Sequence, residues 1–487
     1  ITNPDTLHIV SNPGSITVFS GTIVKGLSMF SSPLALSLSS NGAIGSALPT
    51  LILSGNNTYV GGTTISNYIL QLGNGGDSGF IPGDVVNNGG LLVFNHTPTG
   101  TFEFDGAISG TGSVEVASGT QILNSSNNTY SGLTTIDQGA TLIAGGSNAS
   151  LSPNSDFVVN GILDLDGQNR TVGSLAGTGT VTNSHGNGFP VVLTAGDTLN
   201  TNFSGNLVDG GSSLGLTKVG SGAMTLSGTN TYSGPTTVTE GTLQAGSGGA
   251  FSAHSAFTVN TSTLDLNGFN NGIGSLAGNG TVLNSNAALA VLTTGSDGTS
   301  TIFSGDLPSG PLGLTKVGAG ILTLSGGASF YSGPTTVSGG TLQAGSNQAF
   351  SATSAYTVSG TGILDLAGFS NQVGSLSGNG IVTNSGSALA ILTTGGNGTD
   401  TIFSGTLSDG LGPLGLSKEG GGTFEIASTN TYSGGTVAFG GVLEAGANNA
   451  LGMAAPGQKP FAHRRASHRA IGGSTSSGTD RSGEKRG

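Results

Sequence analysis

Cysteine is absent from the 487 residues of this chain. The absence excludes disulfide bridges, thiolate zinc sites and cysteine nucleophiles. Charged residues are also scarce, at 7% of the chain against about 25% in average proteins. A secreted protein of this composition has to be stabilised by packing alone. A surface rich in Ser, Thr, Asn and Gly favours an extended extracellular structure over a cytosolic enzyme.

Long apolar runs are missing too. No run reaches the roughly 18 residues of a membrane span, so the sequence predicts no transmembrane helix. The first residues, ITNPDTLHIV from Ile1, show neither the basic region nor the apolar core of a signal peptide. We expect either that a signal was removed or that the chain is a fragment.

Glycine is the residue in excess, with 91 of 487 positions against roughly 7% in average proteins. Disorder usually requires low hydrophobicity and high charge, whereas 34% of these residues are hydrophobic. Val, Ile, Leu and Thr recur in short alternating runs between glycines. The pattern predicts many short strands joined by glycine turns.

The chain also repeats itself. The stretch 216–246, LTKVGSGAMTLSGTNTYSGPTTVTEGTLQAG, returns at 314–345 and more loosely at 416–446, and two weaker copies begin at Leu51 and Gln121. A longer period of about a hundred residues is marked by recurring tyrosines and by aspartates in Leu-Asp-Leu triplets. These markers are Tyr130, Tyr232, Tyr331, Tyr432, Asp164, Asp265 and Asp365.

Periodic short strands predict either a solenoid or a set of blades. We favour an all-β, right-handed parallel β-helix with coils of roughly 20 to 25 residues. A propeller is the alternative, although its blades are usually about 40 to 50 residues long. Strand alternation predicts the side chains that point inward, namely Leu226, Val238, Leu243, Leu264 and Leu266. It predicts outward positions for Thr225, Thr242 and Asp265.

We expect four segments along the chain. N-terminal β-helix coils occupy 1–50, a degenerate repeat with linking coils occupies 51–120, the β-helix of hundred-residue repeats occupies 121–452, and a basic low-complexity tail occupies 453–487. The tail holds seven of the twelve Lys and Arg residues, whereas residues 1–452 hold five basic and 22 acidic residues, a net charge of −17. The tail has no strand pattern, so we expect it to be disordered.

The composition changes abruptly near Met453. We therefore interpret the tail as an out-of-frame or foreign extension. A basic arm that binds nucleic acid or an anionic surface is the alternative, and we predict no nucleic-acid partner.

Five short sequences characterise the repeated unit: KVGSG from Lys218, LSG from Leu226, NTYSG from Asn230, TTV from Thr236 and GTLQAG from Gly241. With these residues, the unit resembles the passenger-associated transport repeat of bacterial autotransporters. GNGG at 73–76 and FEFDGAISGTGSV at 102–114 also resemble the linking coils of that family. The resemblance extends over roughly residues 50 to 450 and rests on five copies.

The resemblance implies a right-handed β-helical passenger that is exported by type V secretion. Such passengers are displayed on, or released from, the Gram-negative outer membrane. It also implies a partner, a C-terminal outer-membrane β-barrel translocator, which this chain lacks. We therefore interpret the chain as a passenger fragment, expect it to be a monomer, and expect a ligand on a host surface or matrix.

One short sequence resembles part of a protease active site. Gly76-Asp77-Ser78-Gly79 matches the segment around the nucleophile of chymotrypsin-like proteases, a domain that some autotransporter passengers carry. A triad also needs a positioned histidine and aspartate. Only His8 lies upstream, within about 75 residues that are too few for the two barrels of that fold. We therefore predict no protease function.

The spacing of the repeats also argues against other kinds of catalytic site. Glycoside hydrolysis needs two carboxyl groups within roughly 5 to 9.5 Å, whereas the Leu-Asp-Leu aspartates lie four or five predicted coils apart. We expect these aspartates to point into solvent and to discourage lateral aggregation. The lysines at equivalent positions are expected to be structural or solvated, and they are Lys218, Lys316 and Lys418.

The repeated tyrosines are expected to share packing or turn formation rather than to form a surface aromatic track for glycans. Three histidines are scattered without a spacing typical of metal ligands, and they are His96, His185 and His254. The glycine-rich stretches also lack the phosphate-loop sequence.

Two functional hypotheses follow. We predict a non-enzymatic surface passenger, a stalk or adhesin-like rod with no catalytic, cofactor-binding or metal-binding residues and no cofactor, in which each coil templates the next. The alternative is a polysaccharide-active β-helix enzyme of pectate-lyase-like architecture. Its one nearby cluster of acids and base is Arg170 with Asp164 and Asp166.

Overall fold

The computed structural model describes residues 6–24, 33–42, 45–146, 151–186, 188–327 and 329–452. The chain divides into two compact units, Ile1–Gly333 and Pro334–Gly487. The described residues of both units are strands and turns without a helix. The tail at 453–487 lies outside the described residues, so its disorder and origin stay predictions, as does the division of the chain at residues 50, 120 and 452.

The strands of the first unit are short. They are β1 (Thr6–Ser11), β2 (Ile16–Phe19), β3 (Ala35–Ser40), β4 (Thr50–Leu53), β5 (Thr63–Ser66), β6 (Ile69–Gly76), β7 (Val85–Asn88), β8 (Leu91–His96), β9 (Thr101–Phe104), β10 (Ile108–Ser109), β11 (Ser113–Ser118), β12 (Thr120–Leu123), β13 (Thr134–Ile136), β14 (Thr141–Ile143), β15 (Phe157–Val159), β16 (Ile162–Asp164), β17 (Arg170–Thr171), β18 (Leu175–Ala176), β19 (Thr180–Thr182), β20 (Val191–Ala195), β21 (Thr201–Phe203), β22 (Asn206–Leu207), β23 (Leu214–Lys218), β24 (Ala223–Leu226), β25 (Thr236–Val238), β26 (Thr242–Ala245), β27 (Ala256–Val259), β28 (Thr263–Asp265), β29 (Asn271–Ile273), β30 (Ser275–Gly278), β31 (Thr281–Leu283), β32 (Ala290–Thr294), β33 (Thr301–Phe303), β34 (Leu312–Lys316) and β35 (Ile321–Leu324).

The strands of the second unit have the same character. They are β36 (Thr335–Val337), β37 (Thr341–Ala344), β38 (Ala355–Val358), β39 (Ile363–Asp365), β40 (Asn371–Gln372), β41 (Ser375–Gly378), β42 (Ile381–Asn384), β43 (Ala390–Thr394), β44 (Thr401–Phe403), β45 (Thr406–Asp409), β46 (Leu414–Lys418), β47 (Thr423–Ile426), β48 (Thr436–Ala438) and β49 (Val442–Ala445).

Each strand pairs in parallel with a strand of the next coil, which makes each unit a parallel β-solenoid. In the first unit one sheet has the order β1-β3-β5-β7-β10, and another has the order β21-β24-β26-β28-β31. In the second unit one sheet runs β36-β38-β41-β44-β47-β49. The described strand pairs are all parallel, so the propeller alternative is wrong. The right-handed winding stays a prediction.

The register gives the extent of each coil. Leu216 of β23 pairs with Thr236 of β25, so one complete coil separates these two positions, in agreement with the coil length predicted from the repeats. The coils vary around this length. Thr263 pairs with Thr281 across a shorter stretch of sequence, whereas Ile16 near the N-terminus pairs with Thr50 across a longer one.

The core follows strand alternation. The predicted inward residues are all buried with 0% exposure, which confirms that part of the prediction: Leu226, Val238, Leu243, Leu264 and Leu266. Each such side chain stabilises the fold by roughly 1.5–3 kcal/mol relative to exposure. Thr225 and Thr242 lie on the outer face and are half-buried. Asp265 is buried, so the prediction of an outward position is wrong for this residue.

Buried asparagines satisfy the backbone at the corners, where the chain leaves the strands. The Asn230 Oδ1 atom accepts a hydrogen bond from the Leu207 N–H of the preceding coil at 2.7 Å. Its Nδ2 atom donates to the Ala250 carbonyl of the following coil at 2.6 Å. One side chain therefore joins three coils, and Asn430 of the second unit makes the same two kinds of bond at 2.7 and 2.8 Å.

The Ser-Gly pairs that follow the inward Phe203 and Leu226 have a steric cause. A Cβ atom on Gly205 would lie 2.0 Å from the Gly179 carbonyl oxygen, and one on Gly228 would lie 1.8 Å from the Gly205 carbonyl oxygen. These distances are far below any van der Waals contact. Gly179, Gly205 and Gly228 therefore form a column in successive coils in which no side chain fits.

The glycine column predicts that two Gly→Ala variants differ in their free energy of unfolding. We expect Gly205→Ala to lower the free energy of unfolding by at least about 1–3 kcal/mol, the usual cost of overpacking. Gly327→Ala is the matched control, because no atom lies within 4 Å of its added Cβ. Chemical denaturation of both variants checks this, and equal stability of the two would contradict the glycine column.

Candidate functional site

The aspartates of the Leu-Asp-Leu triplets are buried, which makes the prediction of outward, solvated carboxylates wrong. Their exposed fractions are 5%, 4% and 4% at Asp164, Asp265 and Asp365. Each aspartate ends a strand, and the chain then turns through a residue of positive φ. For Asp265 that residue is Asn267, with φ 45°.

The Asp265 carboxylate joins three coils by hydrogen bonds. Its Oδ1 atom accepts from the Asn267 N–H at 2.9 Å and from the Ser285 N–H of the next coil at 3.0 Å. Its Oδ2 atom accepts from Ser285 Oγ at 2.7 Å and from Gln244 Nε2 of the preceding coil at 2.9 Å. The carboxylate is therefore structural, and its acceptors are committed to the fold.

The repeated lysines are structural as well. Lys218 is 1% exposed, and its Nζ atom donates to the carbonyls of Val219 and Gly220 at 2.7 Å each. Burial lowers the pKa of Lys218, although the nearby carboxylates of Glu240 and Asp197 partly offset that effect. Lys316 and Lys418 are equally buried, and their Nζ atoms also donate to the carbonyls of the next two residues.

Burial of these lysines leaves the described part of the surface without a Lys or Arg charge. Across the described ranges every Lys and Arg side chain is buried, with exposures of 2%, 1%, 1% and 0%: Arg170, Lys218, Lys316 and Lys418. Most carboxylates, in contrast, are half-buried or exposed. The part of the chain that the structure describes therefore presents a surface whose side-chain charges are negative.

The repeated tyrosines form internal hydrogen-bonded chains rather than a surface track. Tyr232 is 0% exposed, and its hydroxyl lies 2.6 Å from Thr236 Oγ1. Thr236 Oγ1 lies 2.8 Å from Ser255 Oγ, which donates to the Gly234 carbonyl at 2.7 Å. The predicted packing role is confirmed, and the same chain is repeated by Tyr130, Thr134 and Ser155.

Arg170 does not face a substrate groove with the two neighbouring aspartates. Its Nη2 atom donates to the carbonyls of Ala144 and Gly146, the latter at 3.1 Å. Burial lowers its pKa, and the charge of Asp166 opposes that effect. Asp166 instead lies 3.4 Å from His185 Nδ1, at an exposed corner. In the predicted cluster, Arg170 thus bonds to the backbone, whereas Asp166 contacts His185 at the surface.

Of the Gly76–Gly79 segment, Asp77, Ser78 and Gly79 line a small cleft of ≈ 70 Å³ in the first unit. Ser78 Oγ donates to the Ser54 carbonyl at 2.5 Å. His96, which is downstream in the sequence, lines the same cleft. Its imidazole is 4% exposed, and burial lowers its pKa, opposed by hydrogen bonds to the carbonyls of Ser78 and Gly76.

Sequence spacing alone did not place His96 beside Ser78, because the two residues belong to neighbouring coils. The strand register carries the missing information, since Gly76 pairs with His96. The other two histidines, His185 and His254, are exposed at corners. Within the described ranges no three His, Asp or Glu side chains are grouped closely enough to hold a metal ion.

None of the described residues belongs to a helix that is long and apolar enough to cross a membrane.

The family model of the passenger-associated transport repeat matches the chain in five places. The matched residues are 50–72, 118–144, 216–245, 314–344 and 416–445. They coincide with the repeated copies, and they include the buried Asn230, Tyr232 and Lys218.

The chain is also similar to a curated autotransporter adhesin. The adhesin BmaC autotransporter of Brucella suis biovar 1 (strain 1330) is 34% identical over 330 residues, which is 60% of this chain and 9% of the relative. The chain therefore spans less than a tenth of that relative's length. No solved structure matches the chain.

The buried carboxylates predict a stability effect. We expect Asp265→Asn to lower the free energy of unfolding by about 1.5–3 kcal/mol, because a hydrogen bond to a charged group contributes that much and the new amide places donors against donors. Asp306→Asn at an exposed position is the control. Urea denaturation measures both variants, and equal midpoints would refute the structural role of Asp265.

The buried tyrosines predict that the fold loses stability at alkaline pH. Burial raises the pKa of Tyr59, Tyr130 and Tyr432 to about 12, and hydrogen bonds to neighbouring hydroxyls only partly oppose it. Unfolded tyrosine ionises near pH 10. The unfolded chain therefore loses protons first as the pH rises from about 10 to 12, so the stability should fall in that window.

Ultraviolet absorbance of tyrosinate during an alkaline titration checks this limit. The folded chain should ionise later than the same chain in denaturant. Coincident titration curves under the two conditions would contradict the burial of these phenols.

Proposed function

We propose that this chain, an autotransporter passenger sequence built on five passenger-associated transport repeats, serves as a non-enzymatic, adhesin-like segment at the cell surface. The observation that carries the proposal is the coincidence of the five matched repeats with coils of a parallel β-solenoid. We assign no catalytic, cofactor-binding or metal-binding residue to it. Its location would be extracellular, tied to the outer membrane through a translocator.

The physical basis of this function is sequential stacking. A completed coil offers an edge of N–H and C=O groups in the register that the next coil needs. Buried side chains such as Asn230 and Asp265 bond to both the preceding and the following coil. A chain that emerges from a translocator one coil at a time can therefore fold without contacts to distant segments. The lack of cysteine means that no disulfide can form early and block this passage.

The polysaccharide-active enzyme is the weaker candidate. The Arg170 Nη2 atom donates to backbone carbonyls, and Asp164 accepts backbone bonds from Asp166 and Ser184. Asp166 is the member of that cluster that reaches the surface. It is therefore the residue to change when the two functions are compared.

We expect the purified chain to bind host cells or matrix-coated surfaces in a saturable way, whereas the heat-unfolded chain should not. Antibody labelling of intact bacteria that express the full-length protein should also detect the segment outside the cell. Both measurements failing with folded chain would contradict the adhesin-like function. Polysaccharide turnover that disappears with Asp166→Ala would favour the enzyme instead.

A further inference from the structure

Strand β6 contains a bulge that lies outside the ladders on both of its sides. Its pairing with β4 ends at Leu72, and its pairing with β8 passes from Leu72 directly to Gly76. The residues between them are Gly73, Asn74 and Gly75. A bulge leaves its extra residues unpaired, so the strand register does not fix the backbone of these three residues.

The bulge exposes an Asn-Gly pair. Asn74 and Gly75 are both exposed. Gly75 has φ 74°, a conformation that glycine adopts without the steric cost of a side chain. A Cβ atom added to Gly75 would have no other atom within 4 Å. The space around this residue is therefore open.

An Asn-Gly pair can modify itself. The backbone nitrogen of the glycine loses its proton and attacks the Cγ atom of the asparagine side chain. A C–N bond forms and closes a five-membered succinimide ring, the Cγ–Nδ2 bond breaks, and the nitrogen leaves as ammonia. Water then opens the ring at either carbonyl, which gives aspartate or isoaspartate. Glycine favours the attack because it has no side chain to hinder it.

The attack requires rotation of the peptide group between the two residues. The glycine nitrogen must turn towards Cγ, and the asparagine ψ angle is the soft backbone dihedral that allows this. A hydrogen bond to the N–H or to the C=O of that peptide group holds it in place. The reactivity of each Asn-Gly pair therefore depends on how the fold holds one peptide group.

Most other Asn-Gly pairs in the described ranges are held at the glycine N–H. Asn279 is exposed like Asn74, but the Gly280 N–H donates to the Val259 carbonyl of the preceding coil at 2.8 Å. The Asn279 Oδ1 atom also accepts from the Thr261 N–H at 3.1 Å. The other pairs held at the glycine N–H are Asn41–Gly42, Asn160–Gly161, Asn267–Gly268, Asn379–Gly380 and Asn397–Gly398.

Two further pairs in these ranges are held in other ways. The Asn88 carbonyl accepts from the Asn67 N–H at 3.2 Å, which holds the peptide group that leads to Gly89. The Asn271 side chain is 4% exposed, and its Oδ1 atom accepts from the Phe251 N–H at 3.0 Å. Asn74–Gly75 differs from all these pairs, because it is exposed and lies in a bulge outside both ladders.

We propose that Asn74 is a site of self-modification, which converts to aspartate and isoaspartate through a succinimide while the surrounding coils stay folded. The product adds a negative charge to a segment that already carries the exposed Asp77 at the cleft. Isoaspartate also lengthens the backbone by a methylene group. A bulge can take up that length without breaking the pairing of Leu72 or Gly76. This inference does not rest on the proposed function.

The test is to incubate the full folded chain at mildly alkaline pH and to map the products by mass spectrometry. Pepsin digestion in acid stops the reaction, and labelling with an isoaspartate methyltransferase measures isoaspartate. We expect acid to accumulate at Asn74 at least about tenfold faster than at Asn279, because a held peptide group must first open and one hydrogen bond of ordinary strength accounts for about that factor.

The same chain unfolded in guanidinium is the first control. Both pairs then lack the fold around them, so the difference between Asn74 and Asn279 should disappear. In the folded chain, the rate at Asn74 should rise with pH, because the glycine nitrogen has to lose its proton before it attacks.

Two variants complete the experiment. Asn74→Gln should abolish the formation of acid in this segment, because the longer side chain would have to close a less favourable six-membered ring. Asn279→Gln is the matched control and should leave the rate at Asn74 unchanged. Thermal unfolding of both variants verifies the fold.

Three outcomes would overturn the inference. The first is an equal rate at Asn74 and Asn279 in the folded chain. The second is a rate at Asn74 that is far lower in the folded chain than in guanidinium, which shows that the bulge protects the pair. The third is aspartate without isoaspartate, which indicates direct hydrolysis of the side-chain amide.

Discussion

Parallel, in-register hydrogen bonding between successive coils is the constraint on which the rest of the structure depends. It places each residue directly above the residue at the same position of the preceding coil, about 4.8 Å away. A side chain that suits one coil must therefore also suit its neighbours. Thr217, Thr237 and Thr258 show this on the outer face, where they pair one above another. The glycine column shows the same constraint in its strictest form, because no Cβ fits there.

The corners are the second requirement of this architecture. At a corner the backbone leaves the ladder, and its N–H and C=O groups need other partners. Asn230, Asp265 and Lys218 supply them from buried side chains. A buried ammonium or carboxylate carries a desolvation cost of several kcal/mol, so these residues persist only where carbonyl or N–H groups surround them. The conspicuous polar residues of the repeat are thus explained by the backbone and not by a reaction.

The periodic repeats favoured the solenoid, and strand alternation was enough to predict the inward leucines, because burial of one strand face repeats every second residue. It failed at Asp265, which occupies an outward position by alternation. The strand ends there, and Gln244 and Ser285 of the flanking coils cover the carboxylate. The His96 cleft was also beyond sequence reasoning, since it depends on a register shift between β6 and β8. Alternation describes neighbours within one strand, and these two sites are made by neighbours from other coils.

The burial of every described lysine and arginine should affect how such a chain responds to proteases outside a cell. Trypsin-like proteases cut after Lys and Arg, and they need an extended, accessible stretch of backbone around the cut. In the described ranges, each such residue lies within a stacked coil with its cationic group turned onto carbonyls. Amine-reactive reagents meet the same obstacle. We therefore expect the folded coils to combine a negative exterior with slow cleavage by this class of protease.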